Sequence, residues 1–298
     1  MRLKLRKYHP FILITFLLLA CQQTDKPIVG TFHHDGIQRE YIYYQSSELT
    51  QNSPLVVVLH GFTSSAEKIM NYTKFNELAR LNDFAVLYPQ GTLDNDSNTF
   101  WNVGYDFHQN IRTDDVDFII LLTEYIKKKY QLSSHNTFLT GMSNGGEMCY
   151  KVACEQPDAF KAIAPVAGMM LHSFYENAQN SPVPVFATFG TADDVTRYEG
   201  DSINADGWGD YQSIESSIAY WALTNSCNEA VVDTLPDKLH QDSSFVIKNH
   251  FLSTNSKNDV QYYKIINGGH DWPGAWGNKD INISNEIWKF FETQIDSK

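Results

Sequence analysis

Residues 55–59 read LVVVL, an uninterrupted apolar run in which three residues are β-branched. Such a run predicts a strand with both faces buried. Strands of this kind occur almost only in parallel sheets, because the helices that connect parallel strands cover both sides of the sheet. The run therefore predicts an α/β fold with a mostly parallel central sheet and helices on both faces.

Other strand and helix patterns alternate with this one along the chain. Residues 31–34 and 40–44 flank Asp35-Gly36, a dipeptide typical of a tight hairpin turn. Asp114 and Asp115 precede a helical pattern and are expected to cap it. Further strands are predicted at residues 85–88, 137–140, 162–166, 183–189 and 260–266, and helices at residues 116–129 and 148–154. Active sites in such sheets lie at the carboxyl ends of the strands.

Length and charge restrict the classes of function. The 298 residues are enough for one large domain, and no internal repeat or second composition block divides them. We therefore expect a single domain over residues 31–298, after a short polar tether at residues 21–30. The net charge of −12, with no long basic run, argues against nucleic-acid binding.

Residues 141–145, GMSNG, fit the pattern G-x-S-x-G. This pattern places a serine on a strained turn between a strand and a helix, where the flanking glycines make room for it. The strand pattern before the motif and the helix pattern after it supply that context. Ser143 is therefore the predicted nucleophile, although a glycine-rich turn without chemistry is the alternative when the motif is taken alone.

The loop after the LVVVL strand is predicted to help bind an oxyanion. In a fold with this nucleophile turn, one backbone N–H comes from this loop and another from the residue after the serine. These are the N–H groups of Phe62 and Asn144. His60 lies directly before the glycine of this loop, where orienting the loop suits it better than proton transfer does.

A histidine and an acid follow later strands in the order serine, acid, histidine, which is the order of α/β-hydrolases. His270 follows residues 260–266 in a Gly-Gly-His turn, and it is the predicted general base. Asp193 follows residues 183–189 and is the predicted acid, with Asp194 as the rival. Only one of the two can face the histidine, because adjacent side chains point apart.

The first residues have the features of a bacterial lipoprotein signal. A basic start precedes an apolar run at residues 11–20, which is too short to span a bilayer comfortably. The run ends in LLAC at residues 18–21, which resembles a lipobox and implies cleavage before Cys21 and lipid attachment to its sulfur. An uncleaved anchor at residues 1–20 is the alternative. In both cases the domain is expected outside the cytoplasm, in the periplasm or at the cell surface.

The remaining cysteines are Cys149, Cys154 and Cys227. Outside the cytoplasm, three cysteines allow one disulfide and one free thiol. The sequence allows either a Cys154–Cys227 disulfide or three buried free thiols.

Seven short segments together resemble the polyhydroxybutyrate depolymerase/feruloyl esterase group of α/β-hydrolases, allied to carbohydrate esterase family 1. They are His60-Gly61 and residues 88–91 (YPQG), 141–146 (GMSNGG), 153–158 (ACEQPD), 165–168 (PVAG), 190–193 (GTAD) and 269–274 (GHDWPG). The resemblance extends over about residues 37 to 292 and depends on the joint occurrence of the segments in this order.

The resemblance implies hydrolysis of carboxylic esters through an acyl-enzyme, without a metal or a cofactor. It carries the triad roles onto Ser143, Asp193 and His270. Feruloyl or acetyl esters of polysaccharides are the expected substrates, polyhydroxybutyrate or another short-chain polyester is the alternative, and an inactive surface binding protein is the rival of another class. Two residues depart from the family pattern: Phe62 replaces a small residue or cysteine, and Arg197 lies near a position often held by proline.

Four tryptophans lie in predicted loops and turns that could border the site. Trp101 and Trp272 are the predicted substrate contacts, with Trp272 favoured because it follows the histidine closely. Trp208 and Trp276 are further aromatic residues of these loops. Acidic residues near Trp208 do not fit a calcium loop, so no metal site is predicted.

Overall fold

The computed structural model describes residues 25–255 and 257–296. Its strands are β1 (Ile28–His34), β2 (Ile37–Tyr44), β3 (Leu55–Leu59), β4 (Ala85–Pro89), β5 (Thr92–Leu93), β6 (Thr99–Phe100), β7 (Thr137–Met142), β8 (Ala162–Val166), β9 (Val185–Gly190), β10 (Cys227–Thr234), β11 (Phe245–Ser253) and β12 (Val260–Ile266). Its helices are α1 (Ala66–Thr73), α2 (Phe75–Asn82), α3 (Asp115–Tyr130), α4 (Asn144–Glu155), α5 (His172–Asn177), α6 (Ile214–Thr224) and α7 (Ile283–Thr293).

Ten of these strands form one sheet, in the order β1-β2-β4-β3-β7-β8-β9-β12-β11-β10. The six central strands, from β4 to β12, run parallel. Antiparallel strands extend the sheet on both sides, β1 and β2 beyond β4, and β11 and β10 beyond β12. Strands β5 and β6 form a separate small hairpin. The prediction of an α/β fold with a mostly parallel sheet is confirmed.

The sheet separates two hydrophobic cores. Alternate residues of β3 point to opposite faces: Leu55, Val57 and Leu59 enter one core, and Val56 and Val58 enter the other. Helices α3, α4, α5 and α6 cover the first face, and α1, α2 and α7 cover the second. Both faces of β3 are therefore buried, which is why its sequence is apolar throughout.

The predicted elements match the observed ones with small differences at their ends. Strand β9 begins at Val185 and not at residue 183, since Pro184 has no N–H for a strand ladder. Asp114 caps α3 by accepting a hydrogen bond from the Asp117 N–H. Asp115 instead lies inside the helix and pairs with the buried Arg39 at 2.8 Å.

The N-terminal boundary of the domain differs from the predicted one. Residues 28–30, assigned to the tether, pair with β2 as the first part of β1. The predicted signal peptide at residues 1–20 and Cys21 lie outside the described residues. Within residues 25–255 and 257–296, no helix has the length and apolar character needed to cross a bilayer.

The three cysteines of the described region are all free, so the Cys154–Cys227 bridge is not formed. Cys154 lies at the end of α4 and is buried, whereas Cys227 begins the edge strand β10 and is half-buried. Burial raises the pKa of the Cys154 thiol to about 12, which keeps it protonated and unreactive at neutral pH.

Candidate active site

Ser143 occupies the sharp turn between β7 and α4. Its backbone has φ 55° and ψ −124°, a region that non-glycine residues seldom adopt. The turn is held by its neighbours: the Ser143 N–H donates to the Val166 carbonyl at 2.9 Å, and the Glu147 N–H donates to the Ser143 carbonyl at 2.8 Å. This is the strained strand-to-helix turn that G-x-S-x-G predicts, and it presents the serine at the carboxyl end of the parallel sheet.

Close packing explains two glycines around this turn. A β-carbon at Gly145 would lie 2.5 Å from the Leu59 carbonyl oxygen, because α4 begins directly against the end of β3. A β-carbon at Gly190 would lie 2.3 Å from the Gly268 carbonyl oxygen. The loops that carry Asp193 and His270 are therefore in backbone contact.

The loop after β3 lies directly against the nucleophile. A β-carbon at Gly61 would be 3.4 Å from Ser143 Cβ and 3.9 Å from its Oγ. Within the described part of the chain, the backbone N–H groups of Phe62 and Asn144 donate to no protein acceptor. Two such donors beside a serine can bind the negative oxygen of a tetrahedral intermediate.

His60 orients this loop and takes no part in the predicted proton transfer. Its Nε2 accepts hydrogen bonds from the Gly91 N–H at 2.9 Å and from Gln90, so its Nδ1 carries the proton and donates to the Gly61 carbonyl at 2.8 Å. Burial lowers the pKa of His60 to about 4. The ring is thus neutral at physiological pH, and both of its nitrogens are used by the loop.

Asp193 and His270 are brought together from the ends of β9 and β12. The His270 Nδ1 and Asp193 Oδ2 are 2.7 Å apart. The second carboxylate oxygen of Asp193 accepts the N–H groups of Val195 at 2.9 Å and Thr196 at 2.8 Å. Asp193 is buried, whereas Asp194 is exposed and has no contact with the histidine. The structure therefore places Asp193, and not Asp194, as the partner of His270.

Ser143 and His270 line one cleft of about 560 Å³. The cleft is bounded by the loop after β3, by α1 and by the end of β7, through Gly61, Phe62, Ser64, Lys68, Ile69, Asn71, Tyr72 and Met142. Because Asp193 holds Nδ1 of His270, the other ring nitrogen is left for the serine. Among the described residues, Ser143 and His270 have no direct hydrogen bond, and such bonds often tighten only when substrate binds.

The Asn144 side chain joins the nucleophile turn to the loop between β4 and α3. Its Oδ1 accepts the Trp101 N–H at 2.7 Å, and its Nδ2 donates to the Trp101 carbonyl and to the Tyr105 hydroxyl, each at 3.1 Å. The Trp101 indole N–H donates to the His60 carbonyl at 2.8 Å. This network fixes the two predicted oxyanion donors relative to each other.

The predicted substrate contacts of Trp101 and Trp272 are wrong. Their exposed fractions are 0% and 1%, and neither ring lines the cleft. Trp101 is covered because it bridges the two oxyanion loops. Trp272 packs edge-on against Phe75, and its indole N–H donates to the Ser284 hydroxyl at 2.9 Å. Both tryptophans stabilise the loops of the site from the protein interior and do not contact the cleft.

Sequence reasoning missed the aromatic cluster that adjoins the cleft at Phe62. Phe62 lines the cleft, and Phe107 and Trp208 pack against Phe62 from other loops, with ring centroids 6.2 and 5.9 Å away. In the sequence Trp208 is only one of several loop tryptophans, and no motif includes Phe107. No local pattern marks these residues as a cluster, because Phe107 lies 45 positions and Trp208 lies 146 positions after Phe62 in the chain.

The sequence of this chain matches the model of a known protein family. The model described as esterase PHB depolymerase matches residues 40–207, more than half of the chain. The chain belongs to this esterase family. The matched segment includes Ser143, Asp193 and both predicted oxyanion donors, and it ends before His270.

The relatives of this chain include enzymes that are named for different substrates. The chain is 29% identical over 164 residues to a bifunctional acetylxylan esterase/xylanase of Neocallimastix patriciarum, with 55% of the chain and 23% of that protein covered. It is 26% identical over 243 residues to poly(3-hydroxyalkanoate) depolymerase C of Paucimonas lemoignei, with 76% and 57% covered. The chain thus spans less than two thirds of the length of these relatives.

A solved structure has the same fold as this chain. The acetyl xylan esterase from Aspergillus awamori superposes with a TM-score of 0.61 at 15% identity, covering 89% of this chain and 99% of that one. The likeness supports the α/β-hydrolase fold, and the predicted membership of the polyhydroxybutyrate depolymerase group is confirmed by the family match.

Proposed function

We propose that this protein is a serine esterase that hydrolyses carboxylic esters through an acyl-enzyme on Ser143. The observation that carries the proposal is the 2.7 Å pair of His270 and Asp193, set at the cleft that Ser143 lines. A buried carboxylate on one nitrogen of a histidine, with a strained serine in the same cleft, is the arrangement of a catalytic triad. Family membership agrees with this chemistry.

The reaction follows from the placement of these groups. Ser143 Oγ attacks the ester carbonyl carbon while His270 takes its proton, and the N–H groups of Phe62 and Asn144 bind the resulting oxyanion. The intermediate collapses, the C–O bond to the alcohol breaks, and His270 protonates the departing alcohol. Water then attacks the acyl-enzyme with His270 as base, which releases the acid and restores Ser143.

The aromatic cluster of Phe62, Phe107 and Trp208 favours a substrate whose acyl or alcohol group contains a flat apolar ring. Phe107 is 51% exposed and Trp208 is half-buried, so a rim of aromatic surface adjoins the cleft at Phe62. Exposed aromatic surface beside a reacting serine favours a substrate ring that can stack on it. Feruloyl esters of polysaccharides are therefore the first proposed substrates, and acetyl esters, which need no such surface, come second.

The loop that carries Trp208 is held in a defined position. Buried Asp201 accepts the Asp206 N–H at 3.0 Å, and the Gly209 N–H donates to the Asn204 side chain at 2.8 Å. Asn204 also donates to Asp106, beside Phe107. These bonds tie the two aromatic loops to each other, as a preformed binding surface requires.

We expect Trp208→Ala to lower kcat/KM for methyl ferulate by about fivefold, because a stacking contact contributes about 1 kcal/mol beyond burial. Hydrolysis of ethyl acetate, which has no aromatic ring in either half, should change less than about twofold. Trp276→Ala is the matched control, since Trp276 is 69% exposed but, unlike Trp208, has no ring contact with Phe62, which lines the cleft. An equal loss on both esters would remove the support for an aromatic substrate.

A short-chain polyester is the alternative to these polysaccharide esters. The alignment with the Paucimonas lemoignei depolymerase extends over 76% of this chain, farther than the alignment with the acetylxylan esterase. Release of hydroxybutyrate from polyhydroxybutyrate granules by the purified protein, with no hydrolysis of feruloylated xylan, would favour this candidate over the first.

We also propose that the protein is exported and anchored by a lipid on Cys21, which is supported by the lipobox pattern at residues 18–21. Cys21→Ser should abolish incorporation of labelled palmitate and release the protein from membranes, because the sulfur is the proposed attachment point. Wild-type and variant fractions would be compared by detergent extraction. Unchanged membrane association of the variant would favour an uncleaved anchor at residues 1–20.

A further inference from the structure

A buried chain of hydrogen bonds lies directly beneath the nucleophile turn. Asn144 Nδ2 donates to the Tyr105 hydroxyl at 3.1 Å, and that hydroxyl donates to Glu147 Oε2. Glu147 is one helical turn after Ser143 and only 2% exposed. The reaction described above assigns no role to this carboxyl group, and a buried carboxyl needs a reason for its position.

We propose that Glu147 in its ionised form is a positioning residue for ester hydrolysis, acting through Tyr105 on Asn144 and through its charge on His270. The inference rests on the proposed function. It adds a second ionisation to the pH dependence of the reaction, separate from that of His270.

The first part of this role concerns the oxyanion hole. The Asn144 backbone N–H is one of the two predicted oxyanion donors, and its side chain is fixed by Trp101 on one side and Tyr105 on the other. A carboxylate accepts the Tyr105 proton more strongly than a neutral carboxylic acid does. With its proton committed to Glu147, the Tyr105 oxygen is left to accept from Asn144, so all the bonds of the chain point in one direction and strengthen one another.

The second part concerns the charge on His270. Burial raises the pKa of Glu147 to about 7, while the hydrogen bond from Tyr105 and the positive charge of His270 act to lower it. Coupling between two charges is reciprocal, so ionised Glu147 stabilises the imidazolium that His270 forms during the reaction. Above pH 7 the carboxylate is present for this purpose, and below it the group is neutral.

Other titratable groups also face this region. Asp193, on the loop after β9, raises the pKa of Glu147 by repulsion. His108 lies against the Tyr105 ring, but its Nε2 is paired with Asp94 at 3.1 Å. Two cations of adjoining elements are paired with other carboxylates, Arg39 with Asp115 and Lys151 with Glu155.

The test is the ratio of kcat/KM between Glu147→Gln and wild type, measured on p-nitrophenyl acetate from pH 5.5 to 9. Glutamine keeps an acceptor for Tyr105 but has no charge. We expect a ratio near one at pH 5.5 that falls to about one tenth at pH 8.5, with a midpoint near 7. Glu155→Gln removes a carboxylate from the far end of the same helix and should give a ratio near one throughout.

A ratio that is constant across pH, whether near one or far below it, would overturn the proposal. The same ratio, measured with and without Glu147→Gln in a Tyr105→Phe background, is a second test. Loss of the hydrogen bond from Tyr105 should move the midpoint of this ratio to higher pH, because that bond lowers the pKa of Glu147. An unmoved midpoint would also count against it. A wild-type protein that hydrolyses no ester would instead refute the proposed function.

A thermal measurement reports on Glu147 independently of activity. A carboxyl whose pKa is raised from 4.5 to about 7 by folding loses its stabilising contribution as the pH rises through this window. Glu147→Gln cannot ionise, so its Tm relative to wild type should increase between pH 5 and pH 8. A difference in Tm that does not vary with pH would show that Glu147 does not titrate there.

Discussion

Ser143→Ala is expected to lower kcat for p-nitrophenyl acetate by a factor on the order of 10⁵, because loss of a triad nucleophile removes the covalent step entirely. The fold should be retained, since alanine fills the same turn without its hydroxyl. The residual rate would reflect binding and the oxyanion donors alone. Labelling by a fluorophosphonate probe should be lost together with activity.

Ser64 provides the matched control for this experiment. It lines the same cleft as Ser143 but belongs to the loop before α1 and not to the nucleophile turn. Ser64→Ala should keep both labelling and most of the activity. If a folded Ser143→Ala protein kept more than a small percentage of wild-type kcat, the nucleophile would have to be assigned elsewhere. A wild-type protein that resists labelling would support the inactive binding protein.

Asp193→Asn is expected to reduce kcat/KM by about 10⁴, whereas Asp194→Asn should cost at most about tenfold. Asparagine keeps the size of Asp193 but not its charge, and its amide can hold His270 in the wrong tautomer. Asp194 is exposed and does not reach the histidine, so its replacement disturbs only the surface of the loop.

Both variants would be compared with wild type on one soluble ester at neutral pH, with circular dichroism to verify that each is folded. Asp193 also accepts two backbone N–H groups of its own loop, so a lower Tm for Asp193→Asn is expected as well. Greater damage in Asp194→Asn would require the triad to be rewritten around Asp194, with Ser143 and His270 unchanged.

The central sheet could be predicted because its strands are buried on both faces. The run at residues 55–59 and the patterns before Ser143 and His270 leave few alternatives, and the structure has a strand at each of them. The sequence does not predict the edge strand β10 or its neighbour β11. Every residue of β10 is exposed or half-buried, so its sequence has neither the apolar run nor the alternation that marks a buried strand.

The site was partly predictable for a similar reason. Ser143, Asp193 and His270 follow predicted strands, and parallel strands bring such loops to one end of the sheet. Their placement agrees with this expectation, while their catalytic roles stay predictions. The roles of Trp101, Trp272 and Glu147 depend on which side chains meet across loops. Sequence position next to a catalytic residue says little about which way a ring points.

The backbone of Ser143 also has a consequence for protein engineering. Its φ of 55° costs a non-glycine residue roughly 1–3 kcal/mol, a substantial part of the roughly 5–15 kcal/mol that stabilises a typical domain. A glycine at this position would relieve the cost and lose the hydroxyl. Selection for heat resistance alone would therefore reward inactive variants at this codon, and any library evolved for thermostability should be screened for turnover in the same round.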